Sequence, residues 1–273
     1  MAEFGAQTRE SPAATVARPA ARARYGTVAW ARTSNGRMSR REQLREIARA
    51  TAVLAAMMPA RARQRLGIAN PRAIAFDIEQ LVIPDSAVAR EAEELCREAS
   101  SKQLLAHCLR TYAWGMILGR GDGLRPDEEL FYVASMLHDL ALTDSFRDYH
   151  PMPCFAARAG ILATDWASER GWPEHRCTKL GDAVSLHLNG SVAAPHGPEA
   201  QLLQAGAALD VIGLRHWDLT PGTVAAVLDR YPRRAFKSSY AMFRAEAHPR
   251  TRTELLDRWL LFGQLIAHSQ FAD

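Results

Sequence analysis

An all-α fold is what this chain of 273 residues predicts, on two observations. From Arg41 onward, apolar residues recur at spacings of three and four, in segments punctuated by Pro and Gly. No stretch alternates strongly enough to demand a strand. The expected helices run over residues 41–65, 86–99, 102–118, 126–140, 154–170, 173–188, 198–214, 221–229, 238–247 and 252–269. Several open with proline in the first turn, at Pro126, Pro173, Pro198 and Pro221, where the missing amide has no intrahelical partner to lose. Others stop at glycine, as at Gly119 and Gly171, because the residue past a helix end often needs positive φ. Within 126–140, Leu130, Phe131, Val133, Ala134 and Leu137 share one stripe.

Length and a hydrophobic content of 48% allow one large domain, or one with an appendage. Residues 1–40, broken by Gly5, Pro12, Pro19, Gly26 and Gly36, read as a disordered basic arm. Residues 41–80 read as an N-terminal helical extension and 81–273 as the main helical domain. The net charge of +4 comes from the arm, whose seven Arg and two Glu leave 27 basic and 28 acidic side chains in the rest. Nucleic acid is therefore not the expected partner, since phosphate binding needs basic residues clustered on the folded body.

Four cysteines, Cys96, Cys108, Cys154 and Cys177, form no C-x-x-C pair, which removes zinc-ribbon and thioredoxin-type sites and fits a reduced cytoplasmic setting. No apolar run reaches the roughly 18 residues of a membrane span, so no membrane partner is expected. The Arg- and Ala-rich amino terminus has the flavour of a transit peptide, although a plain disordered arm accounts for it as well.

The chemistry points to one place. His138-Asp139 closes the apolar run Ala134-Ser135-Met136-Leu137-His138-Asp139-Leu140, with His107 lying 31 residues upstream and Asp210 71 residues downstream. Asp210 stands in Ala207-Ala208-Leu209-Asp210-Val211-Ile212-Gly213, where burying an unpaired carboxylate would be costly and a cation would neutralise it. Two imidazoles and two carboxylates make an N/O donor set for one divalent ion, Zn or Fe with Mn open, and a bound water of lowered pKa. The alternative is that His138 ends a helix, Asp139 caps the next turn and Asp210 faces solvent. Gly119-Arg120-Gly121-Asp122-Gly123 lacks the preceding strand and following Lys of a phosphate loop and reads as a connector. Trp114, Trp166, Trp172, Trp217 and Trp259 read as core or pocket wall.

In this order, His107, His138-Asp139 and Asp210 resemble the H…HD…D signature of the HD metal-dependent hydrolase superfamily. Ala183-Val184-Ser185-Leu186-His187 is similar to its A-[IV]-x-x-H segment. Within that superfamily the run from Ile83 to about Arg250 is similar to the cyanamide hydratase branch, through Ile83-Pro84-Asp85-Ser86, His107-Cys108-Leu109-Arg110-Thr111-Tyr112, Leu137-His138-Asp139-Leu140, Ala183 to His187, Asp210-Val211-Ile212-Gly213 and Tyr231-Pro232-Arg233. The resemblance implies that 81–273 is an HD-type helical catalytic domain. It further implies that His107, His138, Asp139 and Asp210 ligate one metal, that Arg110 lies near it, and that His187 approaches its open side to orient substrate, shuttle a proton or add a ligand.

Where HD nucleotidases carry acidic residues after the HD pair, this chain has Leu142 and Arg147, leaving Asp144 as a base only if its loop folds back. The implied activity is hydration or hydrolysis of a small polar molecule, hydroxide generated at the metal adding to a nitrile carbon. Phosphohydrolysis of nucleotides or other esters, a two-iron oxygenase drawing on His150, His175 or His196, and a non-catalytic metal-stabilised binding module are the rivals. A small-molecule substrate is the expected partner, with a homo-oligomer left open.

Overall fold

A computed structural model describes residues 23–271. Its regular structure is helical, and among the described residues the sole β-type pairing is one parallel bridge between Ile74 and Leu219. Twelve α-helices follow in order: α1 (Val28–Ser34), α2 (Arg40–Arg65), α3 (Ala87–Ala99), α4 (Lys102–Asp122), α5 (Glu128–Leu137), α6 (Phe155–Glu169), α7 (Glu174–Leu186), α8 (Pro198–Ile212), α9 (Pro221–Arg230), α10 (Tyr240–Ala245), α11 (Arg252–Glu254) and α12 (Phe262–Ala267). No helix among the described residues is long and apolar enough to cross a membrane.

Short polar side chains start these helices by accepting from first-turn amides that have no intrahelical partner. Ser39 and Glu42 form a reciprocal capping box on α2, and Ser86, Ser101, Asp127 and Thr220 cap α3, α4, α5 and α9. The centre of the molecule is α4, buried along most of its length from Leu104 to Gly119. It packs most extensively on α8, while α6 pairs with α7. A Cβ on Gly206 of α8 would fall inside contact distance of the Thr111 carbonyl oxygen and 3.1 Å from the Gly115 amide of α4. Only glycine therefore lets the two backbones approach this closely. That approach sets His107 on α4 opposite Asp210 on α8.

The structure corrects the amino-terminal expectation. Residues 1–22 lie outside the described residues, but 23–40 are folded rather than a disordered arm. Thr27 caps α1 through the Trp30 amide, the Val28 amide donates to Asp182 at 2.8 Å, and Ser185 donates to the Gly26 carbonyl. Val28 and Trp30 are buried in the same apolar core as α3 to α6, so apolar burial outweighs the local breakers Gly26 and Gly36.

The carboxyl-terminal helix expected over 252–269 is broken. A π-turn over Leu255–Trp259 and the left-handed Leu261 (φ 52°) turn α12 away from the line of α11. The break carries Ile266 into an apolar cluster with Met57, Ile212 and Leu214. It also leaves Trp259 66% exposed, so this residue is neither core nor pocket wall. The helix expected to run through residue 140 ends at Leu137, with His138 at its C-cap and Asp139 beyond it, ahead of a 3-10 turn (Leu140–Leu142).

Candidate metal centre

His107, His138 and Asp139 converge, with one potential ligand atom from each lying within 4.8 Å of the others. His107 Nε2 is 3.2 Å from His138 Nε2 and 3.4 Å from Asp139 Oδ2, which is 3.3 Å from His138 Nε2. All three side chains are nearly inaccessible. His187 joins from the end of α7, its Nε2 3.5 Å from Asp139 Oδ1.

The hydrogen bonds of the other ring nitrogens set the tautomers. A carbonyl or carboxylate oxygen has no proton to give, so each Nδ1 facing one must donate. His138 Nδ1 donates to the Ser135 carbonyl at 2.8 Å, His187 Nδ1 to the Val184 carbonyl at 2.6 Å, and His107 Nδ1 to Asp210 Oδ2 at 2.8 Å. Both carbonyls lie three residues upstream, in the last turns of α5 and α7 where carbonyls run short of intrahelical partners, and the Val184 carbonyl also accepts the His187 amide at 3.4 Å. With its Nδ1 committed in this way, each ring turns Nε2 towards Asp139. Two lone pairs 3.2 Å apart repel unless a proton or a cation lies between them. A divalent ion resolves this, and imidazoles tied back through Nδ1 are the arrangement that metal sites use to orient their ligands.

The charges follow from this packing. Burial alone would lift the Asp139 pKa, but His138, His107 and His187 around it hold the carboxyl well below its usual range. Burial, with His138 beside it, pushes His187 down to about 3. Burial also depresses His107, yet its hydrogen bonds to Asp139 and Asp210 outweigh this and raise it.

Three sequence expectations are revised by position. Asp210 stands behind His107 rather than within the converging group. Its carboxylate is chelated by Arg110, Nε to Oδ1 at 2.7 Å and Nη2 to Oδ2 at 3.0 Å, and accepts from Trp114 Nε1 at 3.0 Å. Burial favours the neutral acid, but Arg110 and His107 hold Asp210 far below the ordinary carboxylate range. Arg110 is fully buried, also donates to the carbonyls of Tyr231 and Pro232, and does not line the cavity beside the metal centre; its guanidinium is taken up by Asp210 and these carbonyls. Asp144 is 95% exposed and paired with Arg147 at 2.9 Å; its loop does not fold back, because the ionised side chain is better solvated outside.

His150, His175 and His196 do not join the ligand group. The residue that sequence reasoning missed is Arg233, whose Nη1 donates to the Asp210 carbonyl at 2.8 Å and lies 3.4 Å from its Oδ1. Its only signal was the Tyr231-Pro232-Arg233 run. Phe236, which stacks on His107 with ring centroids 4.6 Å apart, gave no signal at all.

No family model matches the chain. Over 161 residues it is 25% identical to cyanamide hydratase DDI2 of Saccharomyces cerevisiae (strain ATCC 204508 / S288c), a match covering 58% of this chain and 71% of that protein. Cyanamide hydratase DDI3 of the same yeast matches to the same extent. The chain is thus distantly similar to cyanamide hydratases, and it carries a buried His/Asp group able to bind a metal ion.

Proposed function

We propose that the protein is a metal-dependent hydratase that adds water to a carbon–nitrogen triple bond. One observation carries the reading: three imidazoles, each anchored through Nδ1, turn their Nε2 atoms towards the ionised Asp139 in the wall of a cavity. The distant similarity to cyanamide hydratases supports the reaction class.

His107, His138 and Asp139 would hold the ion, zinc or iron first and manganese next by donor chemistry. When bound, that ion supplies Lewis acidity and a water whose pKa falls towards neutrality. Asp210, Arg110 and Arg233 keep His107 in the tautomer that offers Nε2. His187 is neutral at pH 7 and lines the same cavity, so its Nε2 can accept a proton from water and return it to the nitrogen that gains charge. With cyanamide, oxygen bonds to carbon, the C≡N π bonds are lost and both water protons finish on nitrogen, giving urea. Leu104, Leu142 and Phe155 around the centre exclude bulk water.

The test is metal content by plasma mass spectrometry on wild type and His138→Ala, beside a urea-release assay with cyanamide. About one ion per chain and urea formation, both lost in the variant, are expected. Metal without any hydration of a nitrile overturns the reaction. No metal uptake on reconstitution with zinc, iron(II) or manganese overturns the site.

A further inference from the structure

The polar groups of the metal centre occupy one end of a cavity of about 130 Å³. Most of the rest of its wall is apolar and comes from several elements, among them Val53 and Leu54 on α2, Val211 on α8, Phe243 on α10 and Leu265 on α12. Part of this wall belongs to an apolar cluster separate from the main core, built where α2, α8 and α12 meet. The break before α12 is what brings Leu265 and Ile266 there.

The polar side chains on the wall are largely committed elsewhere. Asn189 Oδ1 accepts from Arg252 at 2.9 Å, the Tyr240 hydroxyl donates to Asp257, and Gln204 Nε2 reaches the Gly190 carbonyl at 3.5 Å. Half-buried Lys237 and Ser239 complete the polar part of the wall.

This cavity fits cyanamide poorly. Cyanamide is an amino group joined directly to a nitrile; with its nitrile at the metal centre it would set the amine against a wall that is mostly hydrocarbon, while leaving most of the space unfilled. A dry cavity of roughly 150 Å³ lined by aliphatic and aromatic side chains takes a benzene ring. We propose, resting on the hydratase reading above, that the substrate is a nitrile whose substituent is an apolar group no larger than a benzene ring. The substituent lies against Val53, Leu54, Val211, Phe243 and Leu265, and the C≡N group meets His107, His138, Asp139 and His187. Water converts the nitrile to the primary amide: its oxygen bonds to the nitrile carbon, the C≡N π bonds are replaced by C=O and two N–H bonds, and no oxidant or reductant is needed.

The experiment uses the metal-loaded full chain with benzonitrile and cyanamide, reading kcat/KM for each and the rise in melting temperature on adding benzonitrile. Benzonitrile is expected to exceed cyanamide at least tenfold in kcat/KM, since one buried methylene is already worth roughly tenfold or more. Val53→Trp, which fills the α2 side of the cavity, should cut the benzonitrile-to-cyanamide ratio by at least tenfold and abolish the melting shift. Val53→Ala, a milder change at the same place, should keep the preference. Cyanamide matching or beating benzonitrile overturns the proposal and leaves the hydratase reading standing. If neither nitrile is hydrated, a benzonitrile melting shift that Val53→Trp removes retains the apolar occupant while the hydratase reading falls. No shift at all overturns the proposal.

Discussion

Asp210 Oδ2 accepts a hydrogen bond from His107 Nδ1 at 2.8 Å, and this contact decides which nitrogen His107 turns towards His138 and Asp139. The carboxylate that the motif offers as a ligand is bonded here to the far nitrogen of His107 and stands outside the His107–His138–Asp139 group. It keeps its charge in a fully buried setting because Arg110 chelates it and Arg233 and Trp114 donate to it as well.

Replacing Asp210 with Asn keeps the shape and removes the charge. Loss of such an orienting partner lowers metal affinity about 10- to 100-fold, and a zinc titration with a competing chelator reads this directly. The same change strands the Arg110 guanidinium without its counter-ion, so urea denaturation should show a loss of about 3–5 kcal/mol. Unchanged metal affinity would remove Asp210 from the account of the site.

His107→Ala separates the ligand from its support. Metal content should fall to background, whereas Asp144→Ala, on the solvent side of its loop, should leave both metal content and turnover as in wild type. A large loss of activity in Asp144→Ala would restore the base that its exposure argues against.

Gly206→Ala probes the crossing of α4 and α8. The added methyl meets the Thr111 carbonyl, which is helix backbone and cannot swing aside, so the helices must separate. Overpacking of this kind costs about 1–3 kcal/mol, readable by urea denaturation. Because His107 and Asp210 face each other across this crossing, metal affinity should drop in parallel.

Acid should weaken the fold partly through His216. Burial depresses its pKa, and Gln64 Nε2 lies 3.0 Å from its Nδ1. A histidine with a depressed folded pKa binds more protons when unfolded, so stability is lost as pH falls from its unfolded value near 6.5 towards the folded one. His187, lowered to about 3, acts in the same direction. The melting temperature of wild type should therefore fall more steeply between about pH 7 and 5 than that of His216→Gln. Parallel slopes would exclude this contribution.

Most helices were legible because their signals are local. Ser86 and Ser101 sit next to the amides they cap, and proline at Pro198 and Pro221 acts within one turn. Misreadings came where a distant partner wins. Helix α1 forms around Trp30, whose burial depends on α6 and α7, and the segment from Arg252 bends because Ile266 finds Met57 and Ile212. Neither partner is near in sequence.

The sequence by itself determined the all-α class and most helix starts, because capping and periodicity are written into neighbouring positions, and its spaced motif named His107, His138 and Asp139, which the fold brings together. Only the tertiary structure decided that Asp210 stands behind His107 with Arg110, that Asp144 faces water, and that the cavity wall is mostly hydrocarbon. Those outcomes depend on which helices touch, and a side chain's charge, exposure and partners are set by neighbours a hundred residues or more away, as Arg110 and Asp210 are.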